Sequence, residues 1–334
     1  MRIMIRLLIL LAVIWSGWWW LAATFIDRGA DGWLAARRSE GWQAQVQPIA
    51  TKGFPSKFQT QITDLSLADP EKGVALRLDS ATVSAPAYWP GYVTLSLSSS
   101  PIELDMVAIT HLFRVQNGTA RLHLHPGASL QLDHMQTRGG AWQWNTRQGN
   151  ALAGDDWAMQ VAQNPAVIEK YQFDLQITNL RPGDQLRTLL SVPSDWPLSF
   201  EHFSADLAVT FDRPWDRRAV EDQRPQPRRI TLQDAKATWG PIRLVANGDL
   251  IVDDMGIPEG AANLLVENWT ELLDLAVAGG VLPANIRPQA QAMLGALANM
   301  GGDPTRLDLS LRFAAGEMYL GPIRLGPAPR IVLR

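Results

Sequence analysis

The chain has 334 residues, 46% hydrophobic and 19% charged, enough to bury a large core in one or two domains and too apolar for a disordered protein. Its 30 basic and 33 acidic residues leave a formal net charge of -3, so no broad electrostatic field draws it to nucleic acid. Cysteine is absent, which excludes disulfide frameworks, thiolate metal sites and cysteine nucleophiles.

The first element is apolar. Arg2 and Arg6 precede LLILLAVIWSGWWWLAATFI, Leu7 to Ile26, which carries no charge and is followed by Asp27 and Arg28. A helix of that length, at 1.5 Å per residue, is about 30 Å long and matches a bilayer's hydrocarbon core. Residues 1–26 therefore read as a membrane anchor with its N-terminus inside and the bulk of the chain in the periplasm of a bacterial cell. The alternative is a cleaved signal peptide with Leu21-Ala22-Ala23 as the cleavage site, which would leave a soluble periplasmic protein. Trp18-Trp19-Trp20 fits an aromatic belt at the outer interface better than it fits a cleavage site. Residues 27–41 carry Trp33 and Leu34 beside Arg37 and Arg38 and read as a juxtamembrane helix near headgroups, or as a plain continuation of the anchor.

From Trp42 onward the dominant period is two. Val74, Leu76 and Leu78 alternate with Ala75, Arg77 and Asp79; Val93, Leu95 and Leu97, then Ile102, Leu104 and Met106, repeat the pattern. So do Ala120, Leu122 and Leu124, followed by Leu130 and Leu132 beyond a Pro126-Gly127 turn. It returns at Phe173, Leu175 and Ile177, at Phe203 to Phe211, and at Leu307 to Phe313. Half-buried strands joined by short turns predict an antiparallel meander, so residues 42–334 form a β-rich domain.

Two helices are predicted near the C-terminus. Asn268 to Glu271 has capping-box spacing, and the apolar run behind it stops at Gly279-Gly280. A second helix starts at Pro288 and runs to Gly301. Before them, DRPWDRRAVEDQRPQPRR at 212–229 carries Arg213, Arg217, Arg218, Arg224, Arg228 and Arg229. Its prolines make it a surface loop, either touching headgroups or merely solvated, and a possible sub-boundary.

Candidate chemistry is sparse. His123 and His125 share one strand face, with Asp133 and His134 beyond the turn, a spacing that chelates a metal only when a facing strand adds a ligand. The polar face of a half-exposed hairpin explains them equally, and no metal is assigned. Trp142 and Trp144 share a face and either stack on a ligand or pack the sheet. No GxSxG, HExxH, GxxxxGK or GxGxxG motif occurs, so no catalytic, cofactor-binding or metal-binding residue is assigned and the ligand-binding residues stay unknown.

GPIRL occurs twice, at Gly240 to Leu244 and Gly321 to Leu325. Pro241 and Pro322 cannot donate to a ladder, so each copy begins at a sheet edge, a bulge or a strand's first residue, with Arg243 and Arg324 on the solvent face. Asn247-Gly248 after the first copy signals a hairpin, or a mid-strand bulge at Gly248.

The stretch KATWGPIRLVANGDLIVDDMGIPEGAANLLVENWTELL, with KGFPSKF at Lys52 to Phe58, carries a resemblance. Its turn residues Asn247-Gly248, Gly256 and Pro258-Glu259-Gly260 resemble those of an uncharacterised bacterial envelope family, domain of unknown function family 2125, known mainly from alphaproteobacteria. More distantly, an anchor followed by many amphipathic strands resembles the AsmA-like proteins. That resemblance implies a long, curled antiparallel sheet forming an open groove, and a part in lipid homeostasis of the envelope. The expectation is a mainly β, non-enzymatic inner-membrane protein, held in the cytoplasmic membrane by residues 7–26, that handles phospholipid or another apolar ligand along the groove. The alternative is an envelope assembly or scaffold factor that binds a protein partner.

Overall fold

The computed structural model describes residues 1–106, 109–147, 149–221, 223–280, 282–321 and 323–333. The chain is mainly β and forms two compact units, Met1–Pro126 with Thr137–Arg147, and Gly127–Gln136 with Gln148–Arg334. Residues 212–229 lie wholly within the second.

In the first unit, helix α1 (Arg2–Ser39) runs unbroken through the anchor and through residues 27–39. The strands that follow are β1 (Gln43–Gln45), β2 (Thr51–Lys52), β3 (Lys57–Asp69), β4 (Val74–Pro86), β5 (Tyr92–Leu97), β6 (Ile102–Met106), β7 (Ile109–Val115), β8 (Thr119–Leu124), β9 (Leu132–Gly139), whose residues 132–136 belong to the second unit, and β10 (Trp142–Thr146). Among the described residues these pairings are antiparallel, but the order is not the simple meander expected. β1 and β2 lie on β3, and β3 pairs with β4. Val74–Leu78 of β4 then pairs with β6, whereas Ala81–Ser84 pairs with β5. Each branch continues, β6 to β7 to β10 and β5 to β8. Length explains the fork: β4 has 13 residues, whereas β5 has 6 and β6 has 5, so one edge takes two short strands end to end.

The second unit contains β11 (Gly149–Gly154), β12 (Asp156–Gln163), β13 (Lys170–Thr178), β14 (Arg181–Pro182), α2 (Asp184–Leu189), β15 (His202–Phe211), α3 (Arg218–Glu221), β16 (Pro227–Trp239), β17 (Ile242–Val252), β18 (Pro258–Glu267), α4 (Trp269–Ala278), α5 (Arg287–Met300), β19 (Arg306–Ala314), β20 (Glu317–Leu320) and β21 (Ile323–Pro327). Here the meander is real. β12, β13 and β15 to β21 pair each with the next, all antiparallel. Among the described residues β21 pairs only with β20, so the ladder stays open.

The register puts the apolar residues in line. Leu175 faces Ala205, Ala205 faces Ala235, Ala235 faces Ala246, Ala246 faces Leu264, and Leu264 faces Leu309. Because side chains alternate across a strand, one face of the ladder is apolar from end to end and the other carries residues such as Asp174, Asp206, Lys236, Arg243 and Asp308.

That apolar face is covered at two places. At one, α4 and α5 bury Val266, Trp269, Leu273, Ala298 and Leu307 in a common cluster. The two C-terminal helices predicted from sequence thus exist, and α5 ends at Gly301 as expected. The capping box does not form: Asn268 is left-handed at φ 55° and its side-chain amide donates to Pro241 O at 2.6 Å, while Glu271 accepts from Thr270. The strand-to-helix corner demanded φ > 0 at Asn268, and that conformation turned its side chain away from the helix.

At the other, Val161, Tyr171, Val209 and Phe211 form a second cluster, with Trp215 and Leu132 against it. Tyr171 is fully buried and its hydroxyl is saturated. It donates to Leu132 O at 3.3 Å and accepts from the Trp215 backbone N–H at 3.1 Å and the Gln163 amide at 3.0 Å. One phenol thus ties three segments together.

Two turns depart from the sequence reading. Asn247-Gly248 is neither a hairpin nor the bulge itself, because it lies inside β17; the irregularity falls opposite, between Leu232 and Ala235 of β16. Pro258-Glu259-Gly260 is the start of β18, where a missing N–H costs nothing. The turn sits earlier, at Asp253–Ile257, where the Asp253 carboxylate accepts from the N–H groups of Met255 at 2.9 Å and Ile257 at 2.7 Å.

The two GPIRL copies are the same hairpin. Trp239 pairs with Ile242 across Gly240-Pro241, and Leu320 pairs with Ile323. Gly240 has φ 55° and Gly321 φ 56°, the first central position of a two-residue turn that needs a left-handed residue. Pro322 lies outside the described residues. Arg243 and Arg324 are solvent-facing, and Arg324 grips Glu317 at 2.8 Å.

These contacts set two expected outcomes. A Cβ on Gly240 would meet the Trp196 ring at 3.2 Å, whereas one on Gly321 would meet nothing within 4 Å. Gly321→Ala should cost about 1 kcal/mol for its left-handed backbone alone, and Gly240→Ala more, as read from melting in detergent. Tyr171→Phe should cost about 1–3 kcal/mol by orphaning buried backbone groups. Burial raises the Tyr171 pKa, so its contribution is intact below pH about 10 and is lost as pH rises through the raised value. Alkaline unfolding should be blunted in Tyr171→Phe.

Candidate functional site

A pocket of about 370 Å³ lies between the sheet and the helices of the second unit. Its walls are Trp239, Ile242 and Leu244 from the β16–β17 hairpin, Leu272, Leu275 and Ala276 from α4, and Leu190 and Phe200 from the segment around α2. Every lining side chain, Ala237 included, is apolar.

Local sequence explains each wall. The GPIRL turn ends β16 on Trp239 and starts β17 on Ile242, which places both at the same end and the same face of the ladder. α4 presents Leu272, Leu275 and Ala276 on one stripe at helical spacing. Phe200 stacks on Trp239 with ring centroids 4.8 Å apart, and Trp196 meets it edge-on at 5.5 Å. The Trp239 indole N–H donates to Pro197 O at 3.0 Å, so the ring brings no unpaired polar group to the wall. The Arg187 guanidinium lies over the same ring, 5.8 Å from its centroid, and also donates to Pro197 O at 3.0 Å.

Beyond the pocket the apolar face has a floor of small residues. Ala237 and Leu244, which line the pocket, are followed two positions along their strands by Ala235 and Ala246. Ala205, Ala235, Ala246, Gly248 and Ala262 are all partly exposed. From β15 to β18 this strip crosses three inter-strand steps, about 14 Å at 4.8 Å per step. The apolar face is thus neither wholly filled nor wholly open: its helix-covered end has a pocket, and its middle is a shallow floor.

The residues singled out from sequence are placed elsewhere. His123 lies on β8 and stacks on Tyr92 at 4.2 Å, and His125 falls just past the end of that strand. Asp133 and His134 stand on β9 in the second unit, with His134 Nδ1 3.2 Å from Asp133 Oδ2. Trp144 packs face to face with Phe113 at 5.6 Å and donates to His111 Nδ1 at 3.1 Å, while Trp142 faces Val115 across the β7–β10 ladder. The tryptophan pair is sheet packing. In the 212–229 segment, Arg228 and Arg229 belong to β16, and carboxylates meet several cations: Asp216 holds Arg218 at 2.7 Å, Asp254 holds Arg228 at 2.8 Å and Asp249 holds Arg229 at 2.5 Å. Arg229, then Thr231, keep the Asp249 carboxyl below its usual pKa. Trp215 of this segment turns inward onto Phe211, so the loop is pinned to the core.

The α2-side wall of the pocket escaped the sequence reading. Leu190, Trp196 and Phe200 sit in LLSVPSDWPLSF, whose prolines break both periods. The only signal was its density of large apolar residues in a stretch with no regular element to hold them.

In the first unit α1 is built into the fold. Trp15 donates its indole N–H to Pro55 O at 2.9 Å and Trp19 donates to Lys57 O at 3.1 Å. Trp19 and Ala23 are buried with Phe58 and Ala87. Further along, Asp27 accepts from the Thr51 backbone N–H at 3.0 Å and hydroxyl at 2.7 Å, and Arg38 donates to Ala44 O at 2.8 Å. The helix is long and apolar enough to cross a membrane, and KGFPSKF is the loop that receives its tryptophans.

No curated protein and no solved structure matches the chain. A family model described as an uncharacterized protein conserved in bacteria (DUF2125) matches residues 19–329, a span that takes in the Trp19 contact, the KGFPSKF loop, both GPIRL copies and every wall of the pocket. The chain belongs to this DUF2125 family of bacterial proteins.

Proposed function

We propose that the chain is a non-enzymatic, membrane-anchored protein of the bacterial envelope whose second unit takes up the acyl chains of a lipid. The observation that carries the reading is the pocket of about 370 Å³ with solely apolar walls, continuous along β16 and β17 with the half-exposed alanine floor. Its volume falls in the ordinary range for small-ligand sites, and a site without polar groups selects hydrocarbon rather than a hydrogen-bonding metabolite. Burial of acyl carbon supplies about 25 cal/mol per Å² before association costs. Arg187, over the Trp239 ring beside this pocket, is a cation suited to a lipid's phosphate or carboxylate. On this reading the chain works as AsmA-like proteins are implied to, on an open apolar sheet face.

The same proposal keeps the anchor uncleaved and the body in the periplasm. Removal of residues 1–23 would strip Trp15, Trp19 and Ala23 from Phe58 and Ala87, and exposing such a cluster costs several kcal/mol, about 3–5 for a large aromatic alone. Intact-mass measurement of protein from its bacterial host should therefore show residues 1–23 retained.

The decisive test is mass spectrometry of lipid co-purified in mild detergent. Wild-type protein should carry phospholipid or fatty acid, and Ala276→Trp or Ala237→Trp, which fill the pocket, should lower the bound amount several-fold with melting little changed. Delipidated protein that takes up no phospholipid from liposomes would sink the proposal. Recovery of an envelope protein by crosslinking would then favour the scaffold reading.

A further inference from the structure

We propose that the Gly53–Ser56 loop, with the neighbouring Tyr88-Trp89 turn, is a second membrane contact that dips into the outer headgroup layer and sets how deep α1 sits. The inference rests on the reading of α1 as a membrane anchor. It follows from a conflict between two lengths. Of α1, only Met1 to Ile14 is exposed at every residue; from Trp15 onward one side of the helix is held by the β-body. Fourteen residues make about 21 Å of helix, about 9 Å short of a hydrocarbon core.

If Leu7 to Ile26 filled the core, Trp15 would lie near its middle, and with it the Pro55 carbonyl that Trp15 grips. Irregular backbone does not persist in lipid-exposed hydrocarbon. The helix must therefore ride outward until that loop reaches the interface. Local thinning of the bilayer takes up the missing length of about 9 Å, and Trp15 to Trp20, the part of the helix richest in tryptophan, lies in the outer interface. Arg2 and Arg6 then reach the inner surface by snorkelling.

The loop has the chemistry for such a position. Phe54 is 54% exposed although it lies edge-on to Trp19 at 5.6 Å, and Tyr88 is 75% exposed. The Ala87 N–H donates to Ser56 O at 2.9 Å, which holds the two turns side by side. Trp18 and Trp20 are also exposed on the adjoining helix. Lys52 and Lys57 flank Phe54 and are exposed, so an aromatic tip is framed by cations, the arrangement that suits anionic headgroups above acyl chains.

The test uses the full chain in liposomes containing anionic phospholipid. Because no native cysteine competes, single cysteines at Phe54→Cys, Tyr88→Cys, Leu10→Cys and Lys72→Cys can each carry an environment-sensitive fluorophore. Lys72 sits in the turn at the far end of the 13-residue β3–β4 hairpin. Labels at 54 and 88 should be quenched several-fold more by a nitroxide placed shallow in the acyl chain than the label at 72, and shielded from an aqueous quencher. The label at 10 should respond to a deep nitroxide. Labels at 54 and 88 that behave like 72 while 10 stays buried would overturn the loop contact and leave the anchor intact. A label at 10 open to the aqueous quencher would overturn both. Tyr88→Cys removes no cluster residue, so it keeps the test valid where Phe54→Cys disturbs folding.

Discussion

In the second unit, everything follows from strict register. Nine strands from β12 to β21 pair in antiparallel order, and where the register shifts it does so at local bulges, as between Leu232 and Ala235 of β16. Side chains alternate with period two, so a slip of one would throw Leu175, Ala205, Ala246 and Leu264 to the polar side. Keeping them in line creates a broad apolar face that water disfavours, and the chain must cover it. It does so unevenly. Helices α4 and α5 close one end, Trp215 and Leu132 close another part, and between them the side chains shrink to alanine and glycine. A small-residue floor presents little apolar area, which is why it can stay half-exposed in an otherwise covered surface.

The pocket arises from the same geometry. A helix laid on a sheet fills the space only where side chains are long enough on both sides. Trp239, Phe200 and Leu275 prop α4 and the α2 segment apart from Ala237, and the gap is apolar because every contributing position belongs to a core-facing series. In the first unit the constraint is different. Trp15 and Trp19 of α1 spend their indole N–H groups on the Pro55 and Lys57 carbonyls, so the helix and the 52–58 loop form one mechanical piece.

Much of the fold was legible. Strand positions were visible because half-buried strands alternate, and 13 residues of β4 or 10 of β15 give the pattern room to repeat. The helices α4 and α5 were visible through their apolar stripe and glycine stops. Less was legible wherever a residue's choice depended on a distant partner. Asn268 looked like a helix cap but bonds Pro241, 27 residues away. Asn247-Gly248 looked like a turn but sits in mid-strand, where Gly248 is needed because a Cβ would come within 2.8 Å of Ala262. The fork at β4 had no local signal at all, since two short strands sharing one long edge look in sequence like any two strands. The pocket was hidden for a related reason: one of its walls, Leu190 and Phe200, comes from a proline-broken segment without period.

By itself the sequence determined the class of the fold: an apolar N-terminal helix and a mainly antiparallel body. Those properties are written in hydropathy, in period and in residue chemistry, all of which act over a few neighbours. It also placed Arg243 and Arg324 on the solvent side of the GPIRL strands, because side chains alternate along a strand. Tertiary structure alone decided which apolar residues were covered and which were left as a pocket and a floor. It alone decided that Trp15 and Trp19 belong to the β-body as well as to the apolar helix. Coverage is a property of residues far apart in the chain meeting at one surface, and no window along the sequence holds both partners.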